Sequence, residues 1–420
     1  MIHKMMLSLV CVLCVLDSVA AQGDERQAKE LAAKALELAQ GKEFEQAAAL
    51  MKKAALLAPT NDTYFGQLSE LEFKAGKFAD GLEHARAAIK LNDKVAAYYL
   101  LGAMHALKEQ ELELAREFCE TVVKRDLGST GVQNAQQFLQ DYLGKRTFTL
   151  HWKLDPQRGR MVNGAITVAV PRTGLPYQSV SYEVSEVKSH KFVRGEVNDV
   201  VVIVPQGKEP FPLTFNIVTQ LYSYKKLLAK ASSSATLPAD AKASLGPIIT
   251  IDPKSPTLKK LSASLKGDNA IATVRNIQAW LKKNIEYKLQ NKAIDELDFK
   301  SVDEIVKRGH AECRGYAMLF TGLCRAAGIP ARPIWGMGKA PPGESLEFGN
   351  LLNHNWAEVY IAGAGWVPVD PQWPDSFGFI PSNYMHGFMD AQKLNSTDTL
   401  PLLNLLYMQG KNQVRMEEGR

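Results

Sequence analysis

Gly309-His310-Ala311-Glu312-Cys313-Arg314-Gly315-Tyr316-Ala317 is the stretch on which the reading of this chain turns. After Cys313 the pattern is helical: Tyr316, Leu319, Phe320, Leu323 and Ala327 share one stripe, and Gly328-Ile329-Pro330 stops it. Cys313 therefore falls in the first turn, where backbone N–H groups without helical partners, and the dipole, favour a negative sulfur. A free thiol is mostly protonated at neutral pH, so a nucleophilic cysteine also wants an imidazolium partner. Downstream, His354-Asn355-Trp356-Ala357-Glu358-Val359-Tyr360 reads as a strand, and after a Gly363–Gly365 turn Trp366-Val367-Pro368-Val369-Asp370-Pro371 reads as the next. A hairpin through that turn sets His354 beside Asp370. Cys313, His354 and Asp370 are thus the candidate nucleophile, base and orienter of an acyl-transfer triad.

Each of these residues also has an ordinary explanation. A lone cysteine on an apolar helix is usually a small buried hydrophobe, and Cys324 is read so. It lies about three turns further along the same helix, roughly 16 Å from Cys313, too far for a disulfide. His354 alone could be a satisfied strand histidine, and Asp370 a turn residue ahead of Pro371; order and context together favour the triad. Backbone N–H groups around Cys313 supply the first half of an oxyanion hole. Tyr287, His310 and a nearby Trp are candidates for the second donor. Glu358 reads as a supporting strand residue, and Trp356 and Trp366 as walls of the substrate cleft.

These segments resemble the transglutaminase-like superfamily, whose domains share a papain-like Cys-His-Asp triad in this order. Val274-Arg275-Asn276-Ile277-Gln278-Ala279-Trp280-Leu281-Lys282-Lys283-Asn284-Ile285-Glu286-Tyr287 is similar to the family's opening helix. Leu323-Cys324-Arg325-Ala326-Ala327-Gly328-Ile329-Pro330-Ala331-Arg332 is similar to the segment that ends its cysteine helix, and His354-x-Trp356-x-Glu358 and Gly365-Trp366-Val367-x-Val369-Asp370 resemble its histidine and aspartate strands. The resemblance implies an α+β papain-like catalytic domain over residues 258–376. It departs from the family at Ala311, where glycine is frequent, so an ordinary φ is expected there.

Residues 24–144 are of another kind. Gly41-Lys42-Glu43-Phe44-Glu45-Gln46-Ala47 recurs as Gly76-Lys77-Phe78-Ala79-Asp80-Gly81-Leu82 and again as Lys108-Glu109-Gln110-Glu111-Leu112-Glu113-Leu114-Ala115. A period of about 34 residues with helix–turn–helix content resembles tetratricopeptide repeats. The repeats, assigned to residues 22–145, are either a groove for a protein partner or a packing platform. From Arg146 the period changes to two. Segments 147–152, 165–170, 180–184, 200–204 and 213–218 alternate as strands, giving an antiparallel β-sandwich over 146–230. His151 and His190 there have no second ligand at metal spacing. Residues 231–257, rich in Ser, Ala and Pro, read as a linker, and 377–420 as a packed C-terminal extension carrying Met385, Met389, Leu402, Leu403, Leu405 and Leu406.

Met1-Ile2-His3-Lys4, the apolar run from Met5 to Leu16 and the small residues Ser18-Val19-Ala20-Ala21 compose a cleavable signal peptide over 1–21. No later stretch reaches the length of a membrane span, so none is expected in the mature chain, which would be secreted or periplasmic. Cleavage leaves Cys119, Cys313 and Cys324, too few thiols for a disulfide scaffold. A hydrophobic content of 46% and a charged content of 23% in 420 residues are those of a folded chain of several domains. The net charge of +5 is scattered along the chain, without the basic stripe of a nucleic-acid binder.

The function expected is an exported cysteine enzyme acting on peptide or side-chain amides through a thioester. Hydrolysis is favoured, because nothing in the chain identifies a protected amine tunnel. A cross-linking transglutaminase and a non-catalytic scaffold built on the repeats are the alternatives. The expected partner is a peptide or protein substrate. No cofactor is expected, and no calcium loop calls for a metal. The segment Lys339–Asn353, with Pro341-Pro342-Gly343, reads as a mobile wall beside the site.

Overall fold

The structure, a computed structural model, describes residues 24–157, 161–194, 199–231, 236–248, 250–288, 300–339, 351–373, 376–382, 384–389 and 414–419. The signal-peptide segment, residues 340–350 of the expected wall and Leu402 to Leu406 lie outside the described residues. The chain divides into two compact units, Met1–Leu143 and Gly144–Arg420.

The first unit is a stack of helices, α1 (residues 24–40), α2 (Phe44–Leu57), α3 (Asp62–Lys74), α4 (Phe78–Leu91), α5 (Ala96–Lys108), α6 (Leu112–Lys124) and α7 (Ser129–Tyr142). From α2 onward each packs on the next, α3 also meets α5 and α5 meets α7, and α1 sends Ala28, Ala32 and Ala35 into a core shared with α2 and α3. The repeat is visible in the backbone: the turns ahead of α2, α4 and α6 place Lys42, Gly76 and Gln110 in the left-handed region, with φ of 63°, 75° and 59°. The helices are amphipathic in small residues, so Ala47, Ala54, Ala85, Ala88, Ala103 and Ala106 are buried and the helix axes approach closely. Cys119 lies fully buried in α6, as packing.

The second unit holds the sandwich and the α+β fold together. Its strands are β1 (Lys145–Leu154), β2 (Met161–Val162), β3 (Ala165–Ala169), β4 (Gln178–Val184), β5 (Val187–Val193), β6 (Val200–Pro205) and β7 (Phe211–Gln220), then the short β8 (Tyr222–Ser223), β9 (Glu286–Tyr287) and β10 (His310–Ala311). β11 (Ala331–Lys339), β12 (Leu351–Ile361), β13 (Gly365–Val369), β14 (Phe379–Ile380), β15 (Tyr384–Met389) and β16 (Val414–Gly419) follow. The sandwich has two four-stranded sheets, ordered β16-β1-β7-β4 and β2-β3-β6-β5. Strict alternation in β1 and β7 buries Phe148, Leu150, Trp152 and Leu154 against Phe211, Leu213, Phe215 and Ile217.

Two expectations change here. The segment 231–257 is not a bare linker: it carries α9 (Ala239–Ala243), after α8 (Lys225–Ala229), and sends Ile248 and Ile251 into the core of the catalytic fold. The segment after 376, expected as a packed C-terminal extension, supplies strands to both sheets: β15 completes the sheet β13-β12-β11-β15 and β16 pairs with β1 along Thr147–Trp152. The sandwich core also takes in Trp335 and Met337 of β11 and Met385 of β15, so sandwich and catalytic sheet share one packed interior.

On the other side of that sheet lies α13 (Cys313–Ala326), packed on β11 and β12 and surrounded by α10 (Pro256–Ser264), α11 (Ala270–Asn284) and α12 (Val302–Arg308). Its stripe Tyr316, Leu319, Phe320 and Leu323 is buried, which fixes the direction in which its first residue points. Among the described residues no helix is long and apolar enough to cross a membrane.

Candidate active site

α13 starts at Cys313 because Glu312 caps it: the Glu312 carboxylate accepts from the N–H groups of Arg314 at 3.0 Å and Gly315 at 3.1 Å. These N–H groups were expected to favour the sulfur; the structure gives both to Glu312, and the Cys313 thiol itself donates to Glu312 Oε2 at 3.3 Å. A carboxylate so near opposes a negative sulfur by like charge. The activating partner must then be the imidazole. Ala311, in β10, has an ordinary backbone, as its side chain requires.

The hairpin forms as the sequence implies. β12 and β13 pair from Ala357↔Val369 to Ile361↔Gly365, and one residue beyond Val369 the chain releases Asp370 toward His354. His354 Nε2 lies 2.6 Å from Asp370 Oδ2. The aspartate is 5% exposed and held at every side: its N–H donates to Ser376 Oγ at 2.9 Å, its Oδ1 accepts from the Gln372 N–H at 3.0 Å, and Tyr384 Oη donates to its Oδ2 at 2.7 Å. Burial alone would lower the pKa of His354, but the Asp370 charge and hydrogen bond, with a hydrogen bond to Cys313, outweigh it and raise it to about 10. With Nε2 committed to Asp370, Nδ1 is the nitrogen left for Cys313. The arrangement can hold a proton between sulfur and imidazole, and hold the imidazole in one tautomer.

Asn355 brings its side-chain amide to the sulfur, with Nδ2 3.7 Å from Sγ. Nothing in its type or spacing had singled it out. Of the expected cleft residues, Trp356 is 1% exposed and lies beside His354, ring centroids 6.0 Å apart. Trp366 has Arg332 3.8 Å over its ring, and its Nε1 donates to Asp240 Oδ2 at 3.0 Å. Tyr287 is half exposed against Tyr316, and His310 is held in the β9–β10 pair two residues before Glu312.

Behind the triad lies a buried polar cluster. Glu358 Oε2 accepts from Arg332 Nε at 2.8 Å and Nη2 at 2.6 Å, while Oε1 meets His386 Nε2 at 3.2 Å and accepts from Tyr177 Oη at 3.3 Å. Burial would raise the Glu358 carboxyl; Arg332 and His386 hold it well below the usual carboxylate range. Its expected supporting role is thus one of fixing β11, β12 and β15 together. Among the described residues no group of His, Cys, Asp and Glu is placed to hold a metal ion.

Residues 259–371 match the family model of the transglutaminase-like superfamily. Kyphoscoliosis peptidase of Mus musculus is 36% identical over 106 residues, which are 24% of this chain and 15% of that protein, so the chain spans only a small part of this relative. The crystal structure of a candidate cysteine protease from Cytophaga hutchinsonii is similar over 66% of this chain and 87% of its own, at 18% identity and a TM-score of 0.40. The helical unit is similar to the first tetratricopeptide domain of Spaghetti bound to an HSP90 peptide, over 28% of this chain and 93% of that one, at 19% identity and a TM-score of 0.25.

Proposed function

We propose that this chain is an exported cysteine hydrolase that cleaves peptide or side-chain amides. The observation that carries the reading is the short His354–Asp370 contact of 2.6 Å on a hairpin facing a cysteine at a helix start. The Cys313 sulfur, its proton passed to His354, attacks the amide carbonyl carbon. The oxyanion forms beside the Cys313 N–H and the Asn355 amide, whose Nδ2 lies 3.7 Å from the sulfur. As the C–N bond breaks, His354 returns its proton to the leaving amine, and a thioester remains on Cys313. Water then gives a proton to His354 and attacks the thioester, releasing acid and free thiol. Asp370 keeps the imidazole oriented throughout.

Export through residues 1–21, to the periplasm or the exterior, and recruitment of a protein partner by the helical repeats belong to the same proposal. The test is to incubate the mature chain with a peptide library and with a fluorescent alkylamine plus a glutamine-containing protein, beside Cys313→Ala. New peptide termini that depend on Cys313 support hydrolysis. Cys313-dependent amine incorporation without cleavage makes the protein a cross-linking transglutaminase instead, and inertness in both assays overturns the enzymatic reading.

A further inference from the structure

The aspartate of the triad shares its inner oxygen. Tyr384 Oη donates to Asp370 Oδ2 at 2.7 Å, the same oxygen that His354 Nε2 holds at 2.6 Å, and Oη lies 3.5 Å from that nitrogen. Its ring stands edge-on to His354, centroids 5.5 Å apart at 87°, and against Trp356 at 5.4 Å. Tyr384 opens β15, beyond the residues 259–371 that match the family model.

Its place is built. β15 pairs with β11 through Gly338↔Tyr384 and Gly336↔His386, while Gly336 faces His354 of β12 on its other side. A Cβ at Gly336 would stand 2.2 Å from the Trp356 ring and 2.3 Å from Met385 O, so only glycine lets β12 and β15, the strands flanking β11, bring their side chains together here. The free edge of β15 is tied to the sandwich, where Gln178 Oε1 accepts from the His386 N–H at 2.7 Å and Gln178 Nε2 donates to His386 O at 2.7 Å. Burial first, then the charge and hydrogen bond of Asp370, hold the phenol proton well past the ordinary tyrosine range, so Tyr384 is a donor at every working pH.

We propose that Tyr384 is a positioning residue of the triad, whose phenol both fixes Asp370 and withdraws part of the charge that Asp370 offers to His354. The inference rests on reading Cys313, His354 and Asp370 as that triad. A carboxylate that meets only the imidazolium binds its proton more tightly, and an imidazolium held too tightly protonates a leaving amine poorly. Tyr384 sets His354 between these limits.

The experiment follows the imidazole nitrogens of His354 by NMR across pH in the full mature chain labelled at histidine, in wild type, Tyr384→Phe, and a protein with 3-fluorotyrosine placed at position 384. Tyr384→Phe keeps the ring and removes the donor, so the His354 titration moves up by about half to one pH unit. Fluorotyrosine, a more acidic donor, moves it down, and carries the test by itself should Tyr384→Phe not fold. On an Asp370→Asn background the Phe substitution causes no shift. An unmoved titration in folded Tyr384→Phe, or the same shift without Asp370, overturns the role. A wild-type His354 that titrates as an ordinary histidine overturns the triad itself, whatever the variants do.

Discussion

Glu358→Ala removes the acceptor on which the buried cluster behind the site depends. Arg332 is 4% exposed and Glu358 1% exposed. The substitution leaves the guanidinium buried against the Trp366 face, with the Asp240 carboxylate beyond that ring as an opposite charge but no carboxylate hydrogen-bonded to it, and leaves His386 and Tyr177 without their acceptor. Breaking a buried ion pair from one side costs about 3–5 kcal/mol, against 0–1 kcal/mol for an exposed pair. All six tryptophans, from Trp152 to Trp373, lie in the second unit, so their fluorescence in urea follows that unit alone. With a slope of about 3 kcal/mol per M, a loss of about 4 kcal/mol moves the midpoint down by about 1.3 M. The pH dependence has a definite sign. A carboxyl held below its unfolded value near 4.3 contributes stability that is present above that pH and is lost as the pH falls below it. Wild type therefore weakens in acid more steeply than Glu358→Ala. A midpoint shift below about 0.3 M, worth about 1 kcal/mol, with parallel acid curves, would refute the claim that this pair is buried and paired in solution.

Other expectations follow from the same geometry. Glu312→Gln keeps an acceptor for the N–H groups at the start of α13 but removes the charge 3.3 Å from the sulfur, so Cys313 is carboxymethylated several-fold faster at pH 6, measured by stopped alkylation and mass analysis. Cys119 and Cys324 are fully buried, and burial pushes the Cys119 thiol up to about 12; native protein therefore takes label at Cys313 and, of these three thiols, nowhere else until urea unfolds it. In the repeats, a Cβ at Gly81 would stand 2.0 Å from the His105 ring, which also meets Ser69 Oγ at 3.0 Å; Gly81→Ala destabilises the helical unit by about 1–3 kcal/mol, seen as an earlier loss of ellipticity with tryptophan fluorescence unchanged.

The juxtaposition of His354 and Asp370 and the place of Cys313 at a helix start were legible because each residue sits in a strong local pattern: a stripe and stop around Cys313, and two short strands joined by a glycine turn for His354 and Asp370. The repeats were legible through a recurring turn, although the backbone aligns Gly76 with Lys42 and Gln110, not with Gly41. What the sequence hid depends on partners far away along the chain. β5, Val187–Val193, is exposed almost throughout and has no alternation to betray it. Tyr384 and His386 acquire their roles only when β15 pairs with β11, and Gln178 of the sandwich, which bonds the His386 backbone, lies far from it along the chain. The Arg332 contact over the Trp366 ring was hidden too, because it links β11 to β13 across the intervening β12. Glu312 is an uncommon cap, since its longer side chain must fold back to reach Arg314 and Gly315.

The most direct test of the central claim is the rate of iodoacetamide alkylation at Cys313 as a function of pH, read by mass spectrometry in the mature protein and in His354→Ala. A thiol paired with the imidazole reacts well below about pH 8, and His354→Ala abolishes that advantage. A Cys313 that reacts as an ordinary thiol in both proteins contradicts the triad and leaves the chain without its chemistry.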